Sequence, residues 1–525
     1  MGSIKILDCT LRDGGYVNDW NFGLESKRKI LKGLDNSNID IIECGFISSR
    51  KESETNKTIY SDFRSPLMDI PANGCALFVG MINYGEYSIE DVPAHLEGMT
   101  IDGIRVAFHK KDVDGALNFS KELQKKGYHV FIQPMVTQSY SDEELLSLIS
   151  EINSFNPYAL YIVDSFGIMR KKDVMRLFYL IDNNLKPTVG IGFHSHNNLQ
   201  LSFSNTQELL SCSSNRELII DSSILGMGRG AGNLCTELLA NYLNENHLGT
   251  YDLIHILNVV DSEVAPLQSK YQWGYSIPYY IAAVNGCHPN YATYLSGKQT
   301  LSVKDLNHII TTLDPEKRSF YDEKYIEKRY LEFQNNCVDD RESRKLIKNM
   351  ISKQSVLIIA PGNTINDQKN DIRKFITENA PFVFSVNFIP EAYDANLLFV
   401  SNSRRYSNVC DKIPNEKIIC TSNVHAAGGS IIVNYSSYLC DNQDVVDNSG
   451  IMLINLLCSL NVPKVYLAGF DGFYLERRNN YYSEDITNSA DSEQLIRVNK
   501  AITSQLKKLK SKIDIQFITE SSYNV

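Results

Sequence analysis

The first 224 residues alternate short apolar runs with longer amphipathic stretches, and this alternation limits the possible folds more than any other feature of the chain. Apolar runs separated by helical segments are typical of repeated βα units around a parallel sheet. Eight parallel strands that close on themselves form a barrel. The runs span residues 3–9, 39–46, 75–82, 101–108, 128–135, 159–165, 189–196 and 217–224.

Polar residues gather where these runs end. In a (β/α)8 barrel the active site lies at the carboxyl ends of the strands. We therefore expect a functional site made from the polar side chains at these ends, which are Arg12, Asp13, Glu43, Arg105, Asp164, His194, His196 and Asp221.

Two histidines and one aspartate within this set predict a metal site. His194 and His196 are two residues apart in the segment GFHSHNN, so in a strand they point to the same face. With Asp13 they supply a ligand set that suits Mn²⁺, Mg²⁺, Zn²⁺ or Fe²⁺. Taken alone, the histidine pair could instead be a packed or capping pair. Arg12 would add a fixed cation for an oxygen that becomes charged.

The second half predicts a different architecture. Residues 291–350 are helix-like and heavily charged, which favours a helical connector. Six further apolar runs follow between residues 351 and 525, and they indicate an open, Rossmann-like α/β domain. The sequence thus predicts an N-terminal TIM barrel over 1–290, the connector, and the C-terminal domain.

Composition narrows the class of protein. No apolar run among the 525 residues approaches the ~20 needed to span a bilayer, and no secretory signal is readable at the start. Eleven scattered cysteines without a CxxC pair fit reduced thiols. A net charge of −10 argues against nucleic-acid binding. We expect a cytoplasmic enzyme that acts on small molecules, as a homodimer without a membrane span.

Five segments carry a family resemblance. DCTLRDGGY, IRVAFHKKDV, VDSFG, GFHSHNNLQLSFSN and LGMGRGAGNLCTE resemble, in order and spacing, the metal-dependent pyruvate aldolases typified by 4-hydroxy-2-oxovalerate aldolase. Their superfamily includes hydroxymethylglutaryl-CoA lyase and isopropylmalate synthase, and the similarity covers residues 3–290. The resemblance implies a divalent ion, Mn²⁺ or Mg²⁺, held by Asp13, His194, His196 and Asn233. It also implies a 2-oxo acid and an aldehyde as substrates.

The resemblance further implies aldol chemistry through a pyruvate enolate stabilised by Arg12. These aldolases carry a histidine base three residues after the metal aspartate, whereas this chain has Tyr16. A phenol with a pKa near ~10 is a poor base unless a nearby cation lowers that pKa. Either Tyr16 is so tuned, or a metal-bound water, Tyr275 or His288 moves the proton, or the substrate differs.

Other residues of the barrel are predicted with less direct roles. Glu43, Arg105, Asp164 and His288 are candidates for substrate binding, although polar residues at a barrel mouth can also be supports. Tyr275 lies in WGYSIPYY, which could equally be an aromatic core stripe.

The C-terminal half carries a weaker signal. APGNT follows an apolar run, so Gly362 and Asn363 would sit at a helix N-terminus, either as a phosphate seat or as a simple turn. Together with Asn387, Ser449 and Asp471, this segment faintly resembles bacterial sialyltransferase-like proteins. That resemblance implies a CMP-type nucleotide or nucleotide-sugar, and an aldolase acting on a sugar-derived aldehyde in surface glycan synthesis.

Three other functions compete with the aldolase. An acyl-CoA condensing synthase of the same superfamily is disfavoured by the aldolase-like segments, and the loop GMGRGAGN lacks the reactive cysteine of the lyases. A barrel scaffold with a C-terminal glycosyltransferase-like binding module would not need the polar cluster. Iron oxygenases share the ligand set but normally use another fold.

Overall fold

The computed structural model describes residues 2–50, 53–212, 214–298, 300–352, 354–474, 480–482 and 492–523. Its contacts divide the chain into two compact units. One comprises Met1–Thr293 and Asp314–Tyr321, and the other comprises Tyr294–Leu313 and Asp322–Val525. The charged segment 291–350 is thus divided between the two units instead of forming a connector of its own.

Within the described ranges, the N-terminal unit contains nine strands. They are β1 (Ile4–Asp8), β2 (Ile41–Ile47), β3 (Ile59–Tyr60), β4 (Leu77–Asn83), β5 (Gly103–Phe108), β6 (His129–Pro134), β7 (Ala159–Asp164), β8 (Gly190–Ser195) and β9 (Leu218–Ser222).

Eight of these strands close into a parallel barrel. The order runs β1-β9-β8-β7-β6-β5-β4-β2, and β1 also pairs with β2, which closes the ring. The short β3 adds to β2 outside the ring through the pairs Phe46↔Ile59 and Ile47↔Tyr60. The predicted TIM barrel is confirmed, and each of the eight predicted runs overlaps one barrel strand, although β2 and β4 each end one residue beyond their run.

Helices alternate with the barrel strands and continue beyond β9. They are α1 (Gly15–Asn18), α2 (Leu24–Asn36), α3 (Val113–Lys125), α4 (Asp142–Phe155), α5 (Lys171–Asn184), α6 (Ser202–Leu210), α7 (Thr236–Glu245), α8 (Leu253–Val259), α9 (Ala265–Lys270), α10 (Ile277–Val284) and α11 (Pro289–Gly297).

Helix α4 shows how the sequence produces such a helix. Ser141 and Glu144 form a reciprocal capping box that satisfies two free N–H groups at its start. The helix ends at Asn156, which adopts the left-handed conformation. Its buried residues recur at helical spacing and face the core; they are Leu145, Leu148, Ile149 and Ile152.

The interior of the barrel changes from apolar to charged along the strands. Ile41 and Ile219 belong to the apolar cluster inside the ring. Because alternate residues of a strand share a face, Glu43 and Asp221 continue the same inward rows toward the carboxyl ends. Arg105 lies among them with no exposed surface. The barrel interior below the carboxyl ends of the strands therefore contains buried acidic and basic side chains.

The C-terminal unit contains a seven-stranded parallel sheet in the order β14-β13-β12-β11-β10-β15-β16. Six of its strands lie in the predicted runs, and β14 was not predicted. Chain order reverses beside β10, which pairs with both β11 and β15. The strands are β10 (Val356–Ile359), β11 (Phe382–Val386), β12 (Leu397–Val400), β13 (Ile418–Thr421), β14 (Ile431–Val433), β15 (Lys464–Ala468) and β16 (Asp514–Phe517).

Helices flank this sheet, which confirms a second mixed α/β domain. No helix in the described ranges has the length and apolar character needed to cross a membrane. The helices are α12 (Val303–Thr311), α13 (Glu323–Gln334), α14 (Arg341–Ile351), α15 (Thr364–Asp367), α16 (Lys369–Asn379), α17 (Ser403–Ser407), α18 (Ser449–Ser459) and α19 (Ser492–Lys510).

Candidate metal centre

Asp13, His194 and His196 converge at the carboxyl end of the barrel. One ligand atom from each lies within 4.8 Å of the others, and all three side chains are buried. His194 is in β8 and His196 follows it, while Asp13 lies in a turn after β1 whose N–H groups return to the carbonyl of Cys9. Elements far apart in the sequence thus form one compact cluster.

His194 is oriented by a buried carboxylate. Its Nδ1 lies 2.9 Å from Oδ2 of Asp221, which also accepts a hydrogen bond from Arg105. Burial by itself would raise the pKa of Asp221, but Arg105 and His194 outweigh that effect and hold it below its ordinary value. An ionised Asp221 accepts the Nδ1 proton, so Nε2 of His194 is available as a ligand.

His196 is held as a neutral ring. Burial is the main reason that its pKa is lowered to about 3, despite the opposing charge of Asp13. Its Nδ1 has no hydrogen-bond partner in the described part of the chain and lies 3.8 Å from Oδ2 of Asp13. A neutral imidazole with a free nitrogen is the form that binds a metal ion.

Asp13 and Asn233 complete a set that fits a divalent cation. Oδ1 of Asp13 accepts from Arg12 at 2.6 Å and Oδ2 accepts from Nδ2 of Asn233 at 2.6 Å. Burial raises the pKa of Asp13, but the charges of Arg12 and both histidines reverse this and hold it far below its usual range. Oδ1 of Asn233 is buried without a donor in the described ranges, as expected of an atom that faces a cation.

Arg12 is fixed by two carboxylates and keeps one donor group free. Its Nε donates to Glu43 at 2.8 Å and its Nη1 donates to Asp13. Its Nη2 is buried and finds no acceptor among the described residues. The guanidinium therefore presents an unused N–H group beside the candidate metal ligands.

Glu43 and Arg105 lie deeper than the sequence suggested. Glu43 is 1% exposed and also accepts from Nη1 of Arg105 at 2.8 Å, and Arg105 is 0% exposed. A substrate at the barrel mouth cannot reach side chains without exposed surface. We therefore replace their predicted role in substrate binding with one in positioning Arg12 and His194.

Asp164 also has a different role from the predicted one. Its carboxylate accepts from the N–H groups of Ile168 and Met169, both at 3.0 Å, and so closes the turn after β7. Burial raises the pKa of Asp164 to about 6. Because its oxygens are used within the backbone turn, nothing in its contacts supports substrate binding.

Tyr16 and Arg229 lie at the mouth of the site. The Tyr16 ring packs edge-on against Trp20, with centroids 4.8 Å apart, and the Arg229 guanidinium lies 5.4 Å from its centroid. Partial burial raises the pKa of Tyr16, although the residue is still 41% exposed, and the charges of Arg229 and Arg12 offset part of that rise. In the metal-free site its pKa is thus shifted away from that of a base.

His288 approaches the same mouth as an uncharged imidazole. Its Nε2 lies 3.4 Å from Nη1 of Arg229, and its Nδ1 accepts from the N–H of Asn290 at 3.2 Å. Burial, helped by the charge of Arg229, lowers the pKa of His288 to about 3. It is a neutral imidazole close to the candidate metal ligands.

Arg229 is a site residue that the sequence reasoning did not single out. No carboxylate of the described residues lies within ion-pair distance of it, and its Nε is buried without a partner. Its one sequence signal is that it is the single charged residue in GMGRGAGN. Tyr275, in contrast, is 54% exposed, and its hydroxyl makes no hydrogen bond within the described part of the chain.

Comparison with known proteins finds a family match within the barrel. The HMGL-like family model matches residues 103–261, which include His194, His196 and Asn233. The N-terminal half carries an HMGL-like domain. Homologues named 4-hydroxy-2-oxovalerate aldolase cover this same half.

Individual relatives of the HMGL-like domain differ in their names. The 4-hydroxy-2-oxovalerate aldolase of Pseudoalteromonas translucida is 28% identical over 273 residues, which is 51% of this chain and 77% of the relative. The oxaloacetate decarboxylase of Mycobacterium tuberculosis is 26% identical over 267 residues, 49% of this chain and 76% of that protein. The crystallised N-terminal domain of a candidate aldolase from Bacteroides vulgatus is 30% identical with a TM-score of 0.49, covering 56% of this chain and 96% of that domain.

These matches concern the half that contains the HMGL-like domain. They give no support to the resemblance between the C-terminal unit and sialyltransferases. The predicted residues of that unit must therefore be judged from their own surroundings.

In the C-terminal unit, the predicted phosphate seat is filled by the protein itself. The N–H of Thr364 donates to Oδ2 of Asp471 at 2.9 Å, and its hydroxyl donates to Oδ1. A Cβ atom on Gly362 would lie 2.5 Å from the carboxyl carbon of Asp471. Because this carboxylate occupies the turn that begins at Gly362 and Asn363, the prediction of a phosphate there is not supported by the structure.

The remaining predicted residues do come together. Nδ2 of Asn387 donates to Oγ of Ser449 at 2.8 Å. Both line a small pocket of about 150 Å³, together with Gly362 and Asp471. Asn387 adopts a left-handed conformation, with φ of 64°. Side chains that ended separate strands in the sequence thus surround one cavity.

Proposed function

We propose that the HMGL-like domain is a divalent-metal-dependent aldolase that forms or cleaves a 4-hydroxy-2-oxo acid through the enolate of pyruvate. The observation that carries the proposal is the free Nη2 of Arg12 beside the cluster of Asp13, His194 and His196. A cation and a metal site that face one point suit a substrate whose carboxylate and keto oxygens are adjacent.

The residues that would hold the ion are Asp13, His194 and His196, with Asn233 beside them. When bound there, Mn²⁺ or Mg²⁺ supplies a Lewis acid that polarises the keto oxygen of the 2-oxo acid. Asp221 contributes by keeping His194 in the tautomer that leaves Nε2 unprotonated.

Arg12 is preorganised for the charge that develops. Glu43 and Asp13 fix two of its nitrogens before any substrate binds. Its Nη2 can then donate to an oxygen that gains negative charge, and no side-chain reorganisation is needed at that moment. Fixed donors of this kind contribute about 10²–10³ in rate.

We propose that His288 contacts the 4-hydroxyl of the substrate as a neutral hydrogen-bonding group. It lies next to Arg229, and Tyr16 is a phenol whose pKa is raised. An imidazole whose pKa is lowered to about 3 holds a proton too weakly to be an efficient base near pH 7, and a neutral phenol can donate a hydrogen bond, so the proton transfer is assigned to neither side chain. Tyr16 would then orient the substrate.

The finer identity of the substrate rests on the sequence. A sugar-derived aldehyde in surface glycan synthesis, and a homodimeric assembly, remain proposals. Arg229 adds one physical argument, since a cation without a carboxylate partner at the mouth favours a substrate that carries a negative group.

Hydrogen exchange into pyruvate tests the enolate chemistry directly. The protein is loaded with Mn²⁺, Mg²⁺ or Co²⁺ and incubated with pyruvate in D₂O, and loss of the methyl-proton signal is followed by NMR. We expect exchange in the wild type, and loss of it in Arg12→Ala and His194→Ala. Arg64→Ala and His255→Ala are the controls, because both residues are exposed and neither belongs to the candidate metal cluster.

Absence of exchange with all three metals would contradict the proposal. Release of free CoA from acetyl-CoA and a 2-oxo acid would instead indicate the condensing synthase. Circular dichroism of each variant separates loss of chemistry from loss of folding.

We also propose that the C-terminal unit binds a nucleotide or nucleotide-sugar, such as a CMP derivative. The support is the single pocket formed by Asn387, Ser449, Gly362 and Asp471 at the carboxyl ends of the strands. Ligands of open parallel sheets bind at that edge, where strand order reverses.

A further inference from the structure

A large basic cleft adjoins the small pocket of the C-terminal unit. Its volume is about 1000 Å³, and it opens beyond the carboxyl ends of β10, β11 and β12. Among the described residues that line it, four are cations and a single one, Glu391, is acidic. The cations are Lys369, Arg373, Arg405 and Lys412.

These four cations are not neutralised. No carboxylate of the described residues forms an ion pair with Lys369, Arg373, Arg405 or Lys412, although the chain has 62 acidic residues and 52 basic ones. Arg405 is half-buried, and this burial lowers its pKa. A concentration of unpaired positive charge in a cleft raises the local concentration of anions.

Asn387 connects the cleft with the small pocket, because it lines both cavities. Its Oδ1 is buried and finds no donor among the described residues. An acceptor without a donor calls for a hydroxyl or amine group on the ligand. The rings of Phe388 and Tyr482, with centroids 4.7 Å apart, form an apolar part of the cleft wall.

The position of the cleft agrees with the topology of the sheet. Chain order reverses beside β10, and ligands of such sheets bind outside the carboxyl ends at this point. The turn after β10 cannot take an anion, because the carboxylate of Asp471 already occupies it. The nearest cationic surface shown to line a cavity there is the basic cleft.

We propose that this cleft binds the diphosphate of a hydroxylated small molecule, with Arg405 as its principal contact and a hydroxyl of the ligand donating to Asn387. A nucleoside diphosphate and a sugar diphosphate share this chemistry. The inference rests on the nucleotide role proposed above and narrows it to a diphosphate, which a CMP-sugar with its single phosphate does not supply; it is independent of the aldolase chemistry.

Calorimetric titration of the full chain tests the site. The probes are inorganic pyrophosphate, CDP and cytidine, each with the wild type, Arg405→Gln and Arg404→Gln. Arg404 is the matched control, because it is the exposed neighbour on α17 and does not line the cleft. We expect pyrophosphate and CDP to bind the wild type, at least tenfold weaker binding to Arg405→Gln, and unchanged binding to Arg404→Gln.

A second variant guards against a folding defect in the first. Glu391→Gln removes the one acid of the lining, so both phosphate probes should bind it more tightly than the wild type. Binding of neither phosphate probe to the wild type, equal weakening in Arg404→Gln, or cytidine binding as tight as CDP would each overturn the proposal. Binding of pyrophosphate as tight as that of CDP would overturn the proposed contact between a ligand hydroxyl and Asn387.

Discussion

Arg12 shows how single atoms determine the chemistry of this site. Two of its nitrogens hold buried carboxylates, and the third has no acceptor in the described part of the chain. An unsatisfied buried donor costs about 1–3 kcal/mol of stability. Such a cost is expected where a substrate oxygen supplies the missing acceptor.

Replacement of Arg12 by lysine should separate charge from geometry. Lysine keeps the positive charge but cannot hold Glu43, Asp13 and a substrate oxygen with one fixed fork. We expect the kcat of pyruvate exchange to fall at least 100-fold, by analogy with the loss of a preorganised donor. Steady-state NMR rates over a range of pyruvate concentrations measure this, and a kcat within threefold of the wild type would show that geometry is unimportant.

His288 should leave a signature in the pH dependence of stability. Its folded pKa is about 3, below the unfolded value of about 6.5, so between these values the unfolded state binds more protons. The free energy of unfolding of the metal-free protein should therefore fall as the pH drops from about 6.5 toward 3. Urea unfolding of His288→Gln should show a shallower fall, by up to about 1.4 kcal/mol per pH unit.

The exposed His255 provides the control for this measurement. His255→Gln shows how much a surface histidine contributes to the slope, because its side chain is 46% exposed and pairs with Asp252. An unchanged slope in His288→Gln would mean that His288 is not held neutral in the folded state.

At the residue scale, the sequence predicted which types of side chain form the candidate site, but not how far below the barrel mouth each one lies. It placed Asp13, His194 and His196 together because strand ends meet at one edge of a barrel. It could not tell that Glu43 and Arg105 lie one layer lower, because that depends on the register of their strands. The sequence did not show where the Arg229 side chain points, because its position depends on the path of a glycine-rich loop.

The loop of residues 226–233 is the element that ties the metal ligands together. Its isolated bridge pairs Asn233 with His196. A Cβ atom on Gly228 would lie 2.4 Å from Nδ2 of Asn233 and 2.8 Å from Oδ2 of Asp13. The close approach explains a glycine here without any appeal to backbone conformation.

Gly228→Ala should therefore weaken metal binding. The added methyl group must displace Asn233 or Asp13, and we expect the affinity for Mn²⁺ to fall at least tenfold in calorimetric titration. Gly297→Ala is the control, because a Cβ atom there has no neighbour within 4 Å. Equal Mn²⁺ affinity in Gly228→Ala and the wild type would show that Asn233 and Asp13 do not define the site.

At the scale of elements, periodicity predicted the long strands and missed the short ones. The eight barrel strands are five to seven residues long, so their alternation with helices was readable. Strand β3 has two residues and β14 has three, too few to show a period. Their existence depends on neighbouring strands that offer free backbone groups, which is tertiary information.

Each unit of the whole molecule has its own apolar core. One cluster is centred on residues such as Ile104 and Leu160, and another on residues such as Ile358 and Leu453. A ligand that binds only the folded state of one unit raises the temperature at which that unit unfolds.

Differential scanning calorimetry can therefore assign the ligands to the units. We expect Mn²⁺ with pyruvate to raise the midpoint temperature of one unfolding transition, and pyrophosphate to raise that of a different one. His196→Ala should abolish the first shift and leave the second, and Arg405→Gln should do the reverse. A single transition shifted equally by both ligands would show that the two sites are coupled.

The carboxylate of Asp471 affects how a function can be inferred for related sequences. It lies 107 residues beyond Thr364, yet it determines whether the turn APGNT is open to an anion or already neutralised. In a homologue with a neutral residue at that distant position, the same APGNT segment would be open to an anion. Annotation transferred from the turn alone would then be unreliable, whereas the pair of positions would be informative.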